Sequence, residues 1–308
     1  MRRMVVLGGG TPLGRRVVDA LRRESWVDRV AGIESHHAGR PGDEDLEVIA
    51  WTRDHRPLAE YLLKEEIDTV VDCSLVEDRS GRTRRPSGAN VISAMYVGAA
   101  IADERSPVRS WVVASSSAIY PIGSHAPLLQ REDRADARGG DERSASIAEA
   151  EDYARSLAER MPDVNVALLR LQELAGGEVR GPLARLLARV VVPRIVGFDP
   201  TIQLLHEQDA VSALTWAAEV ELAGVFNVAS SGVVRMSEAI RVTGHHGLPV
   251  LPMPGSPFEG LFDRLGLPFV PPSMNGLLLY GQALDTDKIA RAGWHPAFDQ
   301  LGCLAPLR

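Results

Sequence analysis

The sequence has few of the residues that mark secreted scaffolds, metal sites or membrane spans. Its 308 residues include two cysteines, Cys73 and Cys303, which lie far apart and have no metal-ligand spacing. A disulfide scaffold is not expected at this length, so we predict a reducing compartment and no metal site. No apolar run reaches the ~18 residues of a transmembrane helix, and the apolar run after Met1 is too short for a signal peptide. We therefore expect a cytoplasmic protein that does not span a membrane.

Positive charge is also limited, and lysine is almost absent. The net charge of −7 at pH 7 argues against a general nucleic-acid or anionic-membrane surface. Of the 34 lysine and arginine residues, only Lys64 and Lys288 are lysines. Any chemistry that needs a lysine between these two positions is excluded.

Apolar, β-branched runs alternate with helical patterns over the first 171 residues. Strands are predicted at Met4–Leu7, Val27–Glu34, Glu47–Trp51, Asp68–Cys73, Arg109–Ser115 and Val164–Leu171. Helices are predicted between them at Pro12–Leu21, Pro57–Glu66, Ser87–Glu104 and Ala145–Met161. This alternation predicts an α/β fold, a Rossmann-type doubly wound parallel sheet with right-handed crossovers.

The pattern changes after residue 171. We predict a dinucleotide-binding domain over residues 1–171, with returns to its sheet around residues 193–230, and a smaller mixed α/β substrate-binding domain over residues 172–308. The segments expected to follow are helices at Gly181–Val190, Asp209–Glu219 and Met236–Thr243, and a strand at Gly224–Val228. The polar stretch Arg131–Ser144 is expected to be a loop, either a linker or a cover over the site.

The first predicted strand runs into a glycine-rich turn that opens a helix. The turn reads Gly8, Gly9, Gly10, Thr11, Pro12, Leu13 and Gly14. Such glycines let the backbone approach a pyrophosphate, and the helix N-terminus offers N–H groups and a positive dipole end. The second strand ends in Glu34, whose carboxylate can accept from the adenosine ribose hydroxyls and would repel a 2′-phosphate. We therefore predict NAD rather than NADP, the alternative being a tight turn that binds nothing.

With these motifs, the sequence resembles the extended short-chain dehydrogenase/reductase family, in its NAD-dependent epimerase/dehydratase branch. The resemblance runs through most of the chain, although Thr11 stands where the family's middle turn glycine belongs. It implies an NAD cofactor held by the turn and the second strand. The cofactor contacts that it implies are Gly8, Gly10, Thr11, Pro12, Leu13, Gly14, Glu34, Asp54, Asp72, Cys73, Ser74 and Asn90. It also implies a possible homodimer, because family members pair through a helical face.

The residues that do the family's chemistry are only partly present. The segment 115–120 resembles the family's Ser-Ser-x-x-Val-Tyr and places Ser116 at the catalytic serine. The family's Tyr-x-x-x-Lys pair, in which the lysine lowers the pKa of an acid/base tyrosine, is missing. An alignment on Glu151 and Arg170 puts Arg143 and Ile147 at those two positions.

Two hydroxyl groups remain as catalytic candidates in this region. Tyr120 is either a displaced proton donor or a packing residue. Ser116 either orients a substrate oxygen or satisfies backbone groups at the end of a strand.

Acidic side chains also stand where the family has other residues. Glu173 replaces an asparagine that lies near the diphosphate of a nucleotide sugar, and a carboxylate there would repel a diphosphate. We therefore expect Glu173 near the substrate. Asp72 and Glu173 either form an acidic pocket with raised pKa values, or they are exposed or paired with arginines.

Histidines fall at two further places, for which we expect structural roles. His206 and Asp209 fit a helix entry with Asp209 as N-cap. His245 and His246 fit a polar turn, and the segment 274–280 fits the core or an interface.

Three functions are consistent with the sequence. The first is an atypical oxidoreductase, epimerase or dehydratase that uses NAD(H) with an altered acid/base on a small-molecule substrate. The second is a catalytically silent protein that senses a dinucleotide or docks a partner. The third is a structural subunit of a larger enzyme.

Overall fold

The computed structural model describes residues 1–34, 46–49, 54–75, 88–134, 142–251 and 272–308. In chain order the strands are β1 (Arg2–Leu7), β2 (Val27–Glu34), β3 (Leu46–Val48), β4 (Thr69–Asp72), β5 (Ser110–Ser116), β6 (Leu129–Gln130), β7 (Asn165–Leu171), β8 (Leu174–Ala175), β9 (Val191–Ile195), β10 (Thr201–Ile202), β11 (Leu205–His206), β12 (Gly224–Val228), β13 (Val234–Arg235), β14 (His246–Val250) and β15 (Ala283–Leu284). The helices are α1 (Pro12–Leu21), α2 (Arg56–Lys64), α3 (Ala89–Ile101), α4 (Glu142–Arg160), α5 (Pro182–Leu187), α6 (Glu207–Glu219), α7 (Met236–Thr243), α8 (Pro272–Tyr280), α9 (Asp287–Ala292) and α10 (Gln300–Leu304).

A seven-stranded parallel sheet forms the centre of the molecule, in the order β12-β7-β5-β4-β1-β2-β3. The chain moves outward from β1 through β2 and β3, then returns to add β4 on the other side of β1. This reversal puts a topological switch point between β1 and β4, where open α/β sheets bind ligands beyond the carboxyl ends of their strands. The predicted α/β fold is therefore confirmed.

Helices cover both faces of the sheet, which explains why its strands are apolar on both sides. On one face, α1 and α6 bury Val17, Leu21 and Leu214. On the other, α2, α3 and α4 bury residues such as Leu62 and Val97. The first set holds α1 against the sheet, and α1 begins directly after the turn that follows β1.

A separate apolar cluster lies in the C-terminal part of the chain. It joins α5, α7, α8 and α10, and it includes Leu187, Met236, Leu277 and Leu304. The segment 274–280 contributes to this core, since Met274, Leu277 and Leu278 are buried. Strand β12 belongs to the central sheet, whereas β9 pairs with β14 outside it. The division at residue 171 stays a prediction.

Several predicted element boundaries are wrong. The third strand ends at Val48, and predicted residues 50 and 51 lie outside the described residues. Helix α4 begins at Glu142, inside the predicted polar loop, whose residues 135–141 also lie outside the described part. His246 begins strand β14 instead of lying in a turn.

The predicted N-cap of α6 is also wrong. His206 occupies that position, with its Nδ1 accepting from Gln208 N. The Asp209 carboxylate instead accepts from the Ser230 hydroxyl, Ala297 N and Phe298 N. These partners are distant in sequence, so local sequence rules could not identify them.

Two classes of site are not found in the part of the chain that the structure describes. None of its helices has both the length and the apolarity to cross a membrane. In the same residues, no group of three or more His, Cys, Asp or Glu side chains is arranged to hold a metal ion.

Candidate functional site

The glycine-rich turn lies between β1 and α1 and packs tightly against its neighbours. Gly8 has a φ of 71°, and a Cβ added there would lie 2.7 Å from Cys73 O. A Cβ on Gly14 would lie 2.1 Å from Gly8 O. Only glycine fits at these two positions, because a side chain would meet backbone atoms that cannot move aside.

Thr11 caps α1 and closes the turn on itself. Its hydroxyl donates to Gly8 O at 2.8 Å and accepts from Gly14 N at 3.0 Å. Pro12 follows as the first helical residue, where its missing N–H costs nothing. Thr11 therefore uses its side chain as an N-cap that shapes the turn.

Glu34 ends β2 beside the same turn. Its Oε2 atom accepts from Gly10 N at 3.1 Å, and the residue is 7% exposed. The carboxylate thus lies at the turn, where the sequence predicts an adenosine ribose. Asp54, the other predicted adenosine contact, is half-exposed and binds the backbone and guanidinium N–H groups of Arg56, which lower its pKa.

A cleft of about 540 Å³ extends from this turn across the ends of the strands. Thr11, Pro12 and Leu13 line it at one end, and Ser116 and Gln172 line it where β5 and β7 end. Its outer wall is formed by residues 178–182 and Arg185. The structure therefore brings the glycine turn and the candidate serine to one cleft.

The predicted contacts that follow β4 fall into two groups. Cys73 lines the cleft, where burial raises the pKa of its thiol. Asp72, Ser74 and Asn90 line a separate cavity of about 20 Å³, enough for about one water molecule. Burial raises the pKa of Asp72, although its Oδ1 atom accepts from Ser74 N and the Ser74 hydroxyl.

Ser116 lies at the end of β5 and lines the cleft. Its Oγ accepts from Ala118 N at 3.0 Å, so the serine caps the 3-10 helix Ser117–Ile119. A serine hydroxyl that accepts one bond can still donate its proton to another oxygen. Ser116 can therefore serve both of the roles that the sequence leaves open.

Tyr120 is bound into a buried network away from this cleft wall. Its hydroxyl donates to Asn227 Oδ1 at 2.6 Å and accepts from Arg170 Nη1 at 2.9 Å. Tyr120 is 2% exposed, and burial raises its pKa to about 12. The phenol is thus bonded within the protein on both sides, and it is not among the side chains found to line the cleft.

Arg170 connects this network to α4. Its guanidinium forms a bidentate ion pair with Glu151, at 2.7 Å between Nη2 and Oε2, and both side chains are 1% exposed. The Ser115 hydroxyl donates to the same carboxylate. Ser115, Arg170 and Glu151 therefore hold β5, β7 and α4 together.

The two positions of the absent acid/base pair lie at the start of α4. Ile147 is completely buried and packs with Ile119 and Tyr120. Arg143 lies in the first turn of the helix, and its side chain lies outside the described part of the structure. Ile147 supplies no cation at the lysine position. The cation at Tyr120 is Arg170, and burial outweighs its lowering effect on the pKa of the phenol.

Glu173 is buried inside the cleft wall. Its Oε2 atom accepts from Leu183 N at 3.4 Å, and a Cβ added to Gly181 would lie 2.4 Å from that oxygen. The side chain is therefore turned toward the start of α5 and is not among the residues found to line the cleft. The repulsion of a diphosphate inferred from the sequence has no support in this placement.

Sequence reasoning missed three residues that line the cleft. Arg180 donates to Gly176 O and Pro306 O, and Arg185 donates to Arg180 O. Within the described residues neither arginine forms an ion pair with a carboxylate, and both residues line the cleft. Gln172 is the third. The rule that ligands bind beyond strand ends could have identified Gln172, which follows β7 directly.

The fold and the cleft together define a Rossmann-type α/β protein. The model of the NAD dependent epimerase/dehydratase family matches residues 4–229. The chain therefore belongs to this family, and the resemblance seen in its motifs is confirmed.

Known proteins similar to this chain fall into two groups. Uncharacterized proteins of Mycobacterium bovis and Mycobacterium tuberculosis are 36% identical over 251 residues, which cover 78% of this chain and 64% of each relative. The chain thus spans less than two thirds of the length of these relatives.

Solved structures agree with the fold. A UDP-glucose-4-epimerase from Stenotrophomonas maltophila, with bound NAD and formylated UDP-arabinopyranose, has a TM-score of 0.76 at 16% identity, covering 100% of this chain and 97% of that one. A dTDP-glucose 4,6-dehydratase from Bacillus anthracis, in complex with NAD, has a TM-score of 0.72 at 14% identity, covering 99% and 94%.

Proposed function

We propose that this protein binds NAD(H) and is an atypical oxidoreductase or epimerase whose catalytic acid/base is altered or lost. The observation that carries the proposal is the Glu34 carboxylate, held against Gly10 N in the turn whose next residues, 11–13, line a cleft that reaches Ser116. A carboxylate at this place suits the two ribose hydroxyls of NAD and opposes a 2′-phosphate. NAD is therefore favoured over NADP.

The cleft accommodates a dinucleotide in one direction. The adenosine ribose belongs at Glu34, and the pyrophosphate belongs at the turn, where the N-terminus of α1 offers backbone N–H groups and a positive dipole end. The nicotinamide half then extends toward Ser116 and Gln172. The NAD bound to the two structural neighbours described above supports the proposal without identifying this chain's cofactor.

A small anionic substrate fits the outer wall of the cleft. Arg180 and Arg185 present guanidinium groups that backbone carbonyls orient, and such groups bind phosphate or carboxylate oxygens with two parallel hydrogen bonds. Because Glu173 is turned away, a phosphate-bearing substrate meets no carboxylate from that residue. We propose residues 172–308 as the part of the chain that contributes this wall.

A catalytically silent dinucleotide-binding protein is the second candidate. The burial of Ile147 against Tyr120 favours it, because this packing removes both the proton donor and its cation from the reaction end of the cleft. Binding of NAD would then serve sensing or the docking of a partner.

A second copy of this chain is the partner that we propose. The exposed apolar side chains Ile92 and Met95 on α3 offer it a helical face. Light scattering of the purified protein measures whether the two copies associate.

Calorimetric titration with NAD, NADH, NADP and NADPH tests the cofactor proposal. We expect NAD(H) to bind, and Glu34→Gln to weaken NAD by about tenfold or more, because a hydrogen bond to a charged group is replaced by a neutral one. Binding of NADP should not weaken. The exposed Glu24 gives a matched control, since Glu24→Gln keeps the same chemistry far from the turn. Failure of all four dinucleotides to bind would overturn the proposal.

The reaction itself is tested on protein loaded with NAD. Sugar phosphates and nucleotide sugars are added singly, NADH absorbance is followed, and products are analysed by NMR. Formation of NADH or of an epimer supports the oxidoreductase or epimerase. Intact NAD binding with neither signal supports the silent protein.

A further inference from the structure

Two buried glutamines beside Ser117 carry polar atoms that have no hydrogen-bond partner within the described residues. These atoms are Nε2 of Gln172 and Oε1 of Gln282. Buried polar groups in folded proteins are almost always hydrogen-bonded, so each exception needs a physical reason. The two glutamines differ in one respect: Gln172 lines the cleft, and Gln282 is not among the side chains found there.

One backbone bond and two side-chain bonds hold Gln172 in place. Its backbone N donates to Val228 O at 2.9 Å. Its Oε1 atom accepts from the Ser117 hydroxyl at 2.7 Å and from Glu173 N at 3.0 Å. Turning the amide over would bring its NH₂ group against the Glu173 N–H, so the oxygen must stay where it is. The NH₂ group is therefore a donor without an acceptor within the described residues.

Gln172, the residue that carries this donor, lines the cleft where β5 and β7 end. Strands β5 and β7 pair with Ser116 opposite Leu171, so Gln172 is the next residue beyond Ser116 along the sheet edge. Both residues are at least nine-tenths buried, and both line the cleft. A ligand group that reaches Ser116 consequently comes within reach of the Gln172 amide.

We propose that Gln172 binds the nicotinamide ring of the dinucleotide by donating from Nε2 to the carboxamide oxygen. The proposal rests on the proposed function, which directs the nicotinamide half toward Ser116 and Gln172. The carboxamide oxygen is a neutral carbonyl acceptor, which matches a neutral amide donor held by the bonds described above. The contact fixes the rotation of the ring about its ribose bond and so selects the ring face that points into the cleft.

Titration of the full chain with NAD and with ADP-ribose tests the contact, because ADP-ribose lacks the nicotinamide ring. Gln172→Met removes the amide while keeping the side-chain length, and Gln172→Glu removes the donor while keeping the acceptor that Ser117 and Glu173 use. For both variants we expect NAD to bind about three- to tenfold more weakly, the loss of one neutral hydrogen bond. Binding of ADP-ribose should be unchanged, which also reports that the protein is folded.

Gln282→Met is the matched control. It removes a buried amide that donates to Ser117 O at 3.3 Å, but it does so outside the residues that line the cleft. We expect its ratio of NAD to ADP-ribose affinity to equal that of the wild type. Equal ratios in the Gln172 variants and the wild type would overturn the inference. If the wild type bound neither ligand, the proposed function itself would fail.

Discussion

The two ends of the cleft are built in different ways. At the glycine turn, the groups offered to a ligand are backbone N–H groups, shaped by Thr11 and joined by one carboxylate, Glu34. At the other end, the tyrosine that sequence reasoning offered as a proton donor is bound between Arg170 and Asn227. The first end offers backbone N–H groups to a ligand. At the second end Ser116 and Gln172 line the cleft, whereas the Tyr120 hydroxyl is bonded inside the protein.

The difference shows how binding and catalysis depend on a fold. A phosphate-binding turn needs only glycines and a helix N-terminus, so it is present wherever the backbone takes this path. Acid/base catalysis needs individual side chains with shifted pKa values, and one apolar residue at the wrong place removes it. The sequence alignment places Ile147 where the family has a lysine, and its side chain packs in an apolar cluster with Ile119 and Tyr120. A shared fold therefore does not by itself carry the chemistry of a family.

Breaking the ion pair between Arg170 and Glu151 should have the largest effect on stability. Arg170→Met leaves the Glu151 carboxylate buried without its partner, and we expect the free energy of unfolding to fall by about 3–5 kcal/mol. Urea denaturation measures it. Arg105→Met is the control, because the Arg105–Asp103 pair is exposed and should contribute nothing measurable. Equal stability of the two variants would show that the buried network does not hold this end together.

A substitution in the glycine turn should have the second-largest effect on stability. Gly14→Ala forces a Cβ to within 2.1 Å of Gly8 O, and the backbone must shift. We expect a loss of about 1–3 kcal/mol in unfolding free energy, together with loss of NAD binding. Gly123→Ala is the control, since nothing lies within 4 Å of a Cβ there. Retention of NAD binding by Gly14→Ala would mean that the turn does not set the cofactor's position.

The role of Tyr120 can be separated from that of the cleft. Tyr120→Phe removes the hydroxyl that bonds Asn227 and Arg170, and we expect the free energy of unfolding to fall by about 1–2 kcal/mol. Binding of NAD should be unchanged. Tyr61→Phe is the matched control, because its hydroxyl bonds an exposed Glu47 and should matter less. A catalytic role for Tyr120 would instead appear as lost activity in a protein of unchanged stability.

The nucleotide end was predictable from sequence because its signals are local. Strand, glycines and helix follow one another within residues 4–21, and Glu34 ends the next strand, so spacing alone brings them together. The parallel sheet was predictable for the same reason, because apolar runs alternate with helical patterns along the chain. The helix predicted over Ala145–Met161 begins three residues earlier, at Glu142, because its first turn is polar and resembles a loop.

The reaction end was not predictable in the same way. Asn227 reaches Tyr120, and Glu207 holds the N–H groups of residues 177–179, across long separations in sequence. The orientation of Glu173 depends on the start of α5, ten residues away. No local pattern reveals whether a buried acid points into a cleft or into its wall.

Substitution of Asp72 should have the smallest effect on stability, and the direction in which that effect changes with pH tests whether the carboxyl is buried. Burial raises the pKa of its carboxyl above the usual 3.8. As pH rises above that value, the unfolded chain ionises first and the folded state loses stability, until the folded carboxyl also ionises. Asp72→Asn removes this cost, so we expect a higher melting temperature than that of the wild type at pH 7. The gap should close below the usual carboxyl pKa, where the carboxyl is protonated in both states.

Asp54→Asn should behave oppositely, because bonds from Arg56 lower the pKa of Asp54 and its small stabilisation is lost as pH falls. Parallel pH profiles for the two variants would show that the small cavity beside Asp72 is hydrated enough to hold a charge.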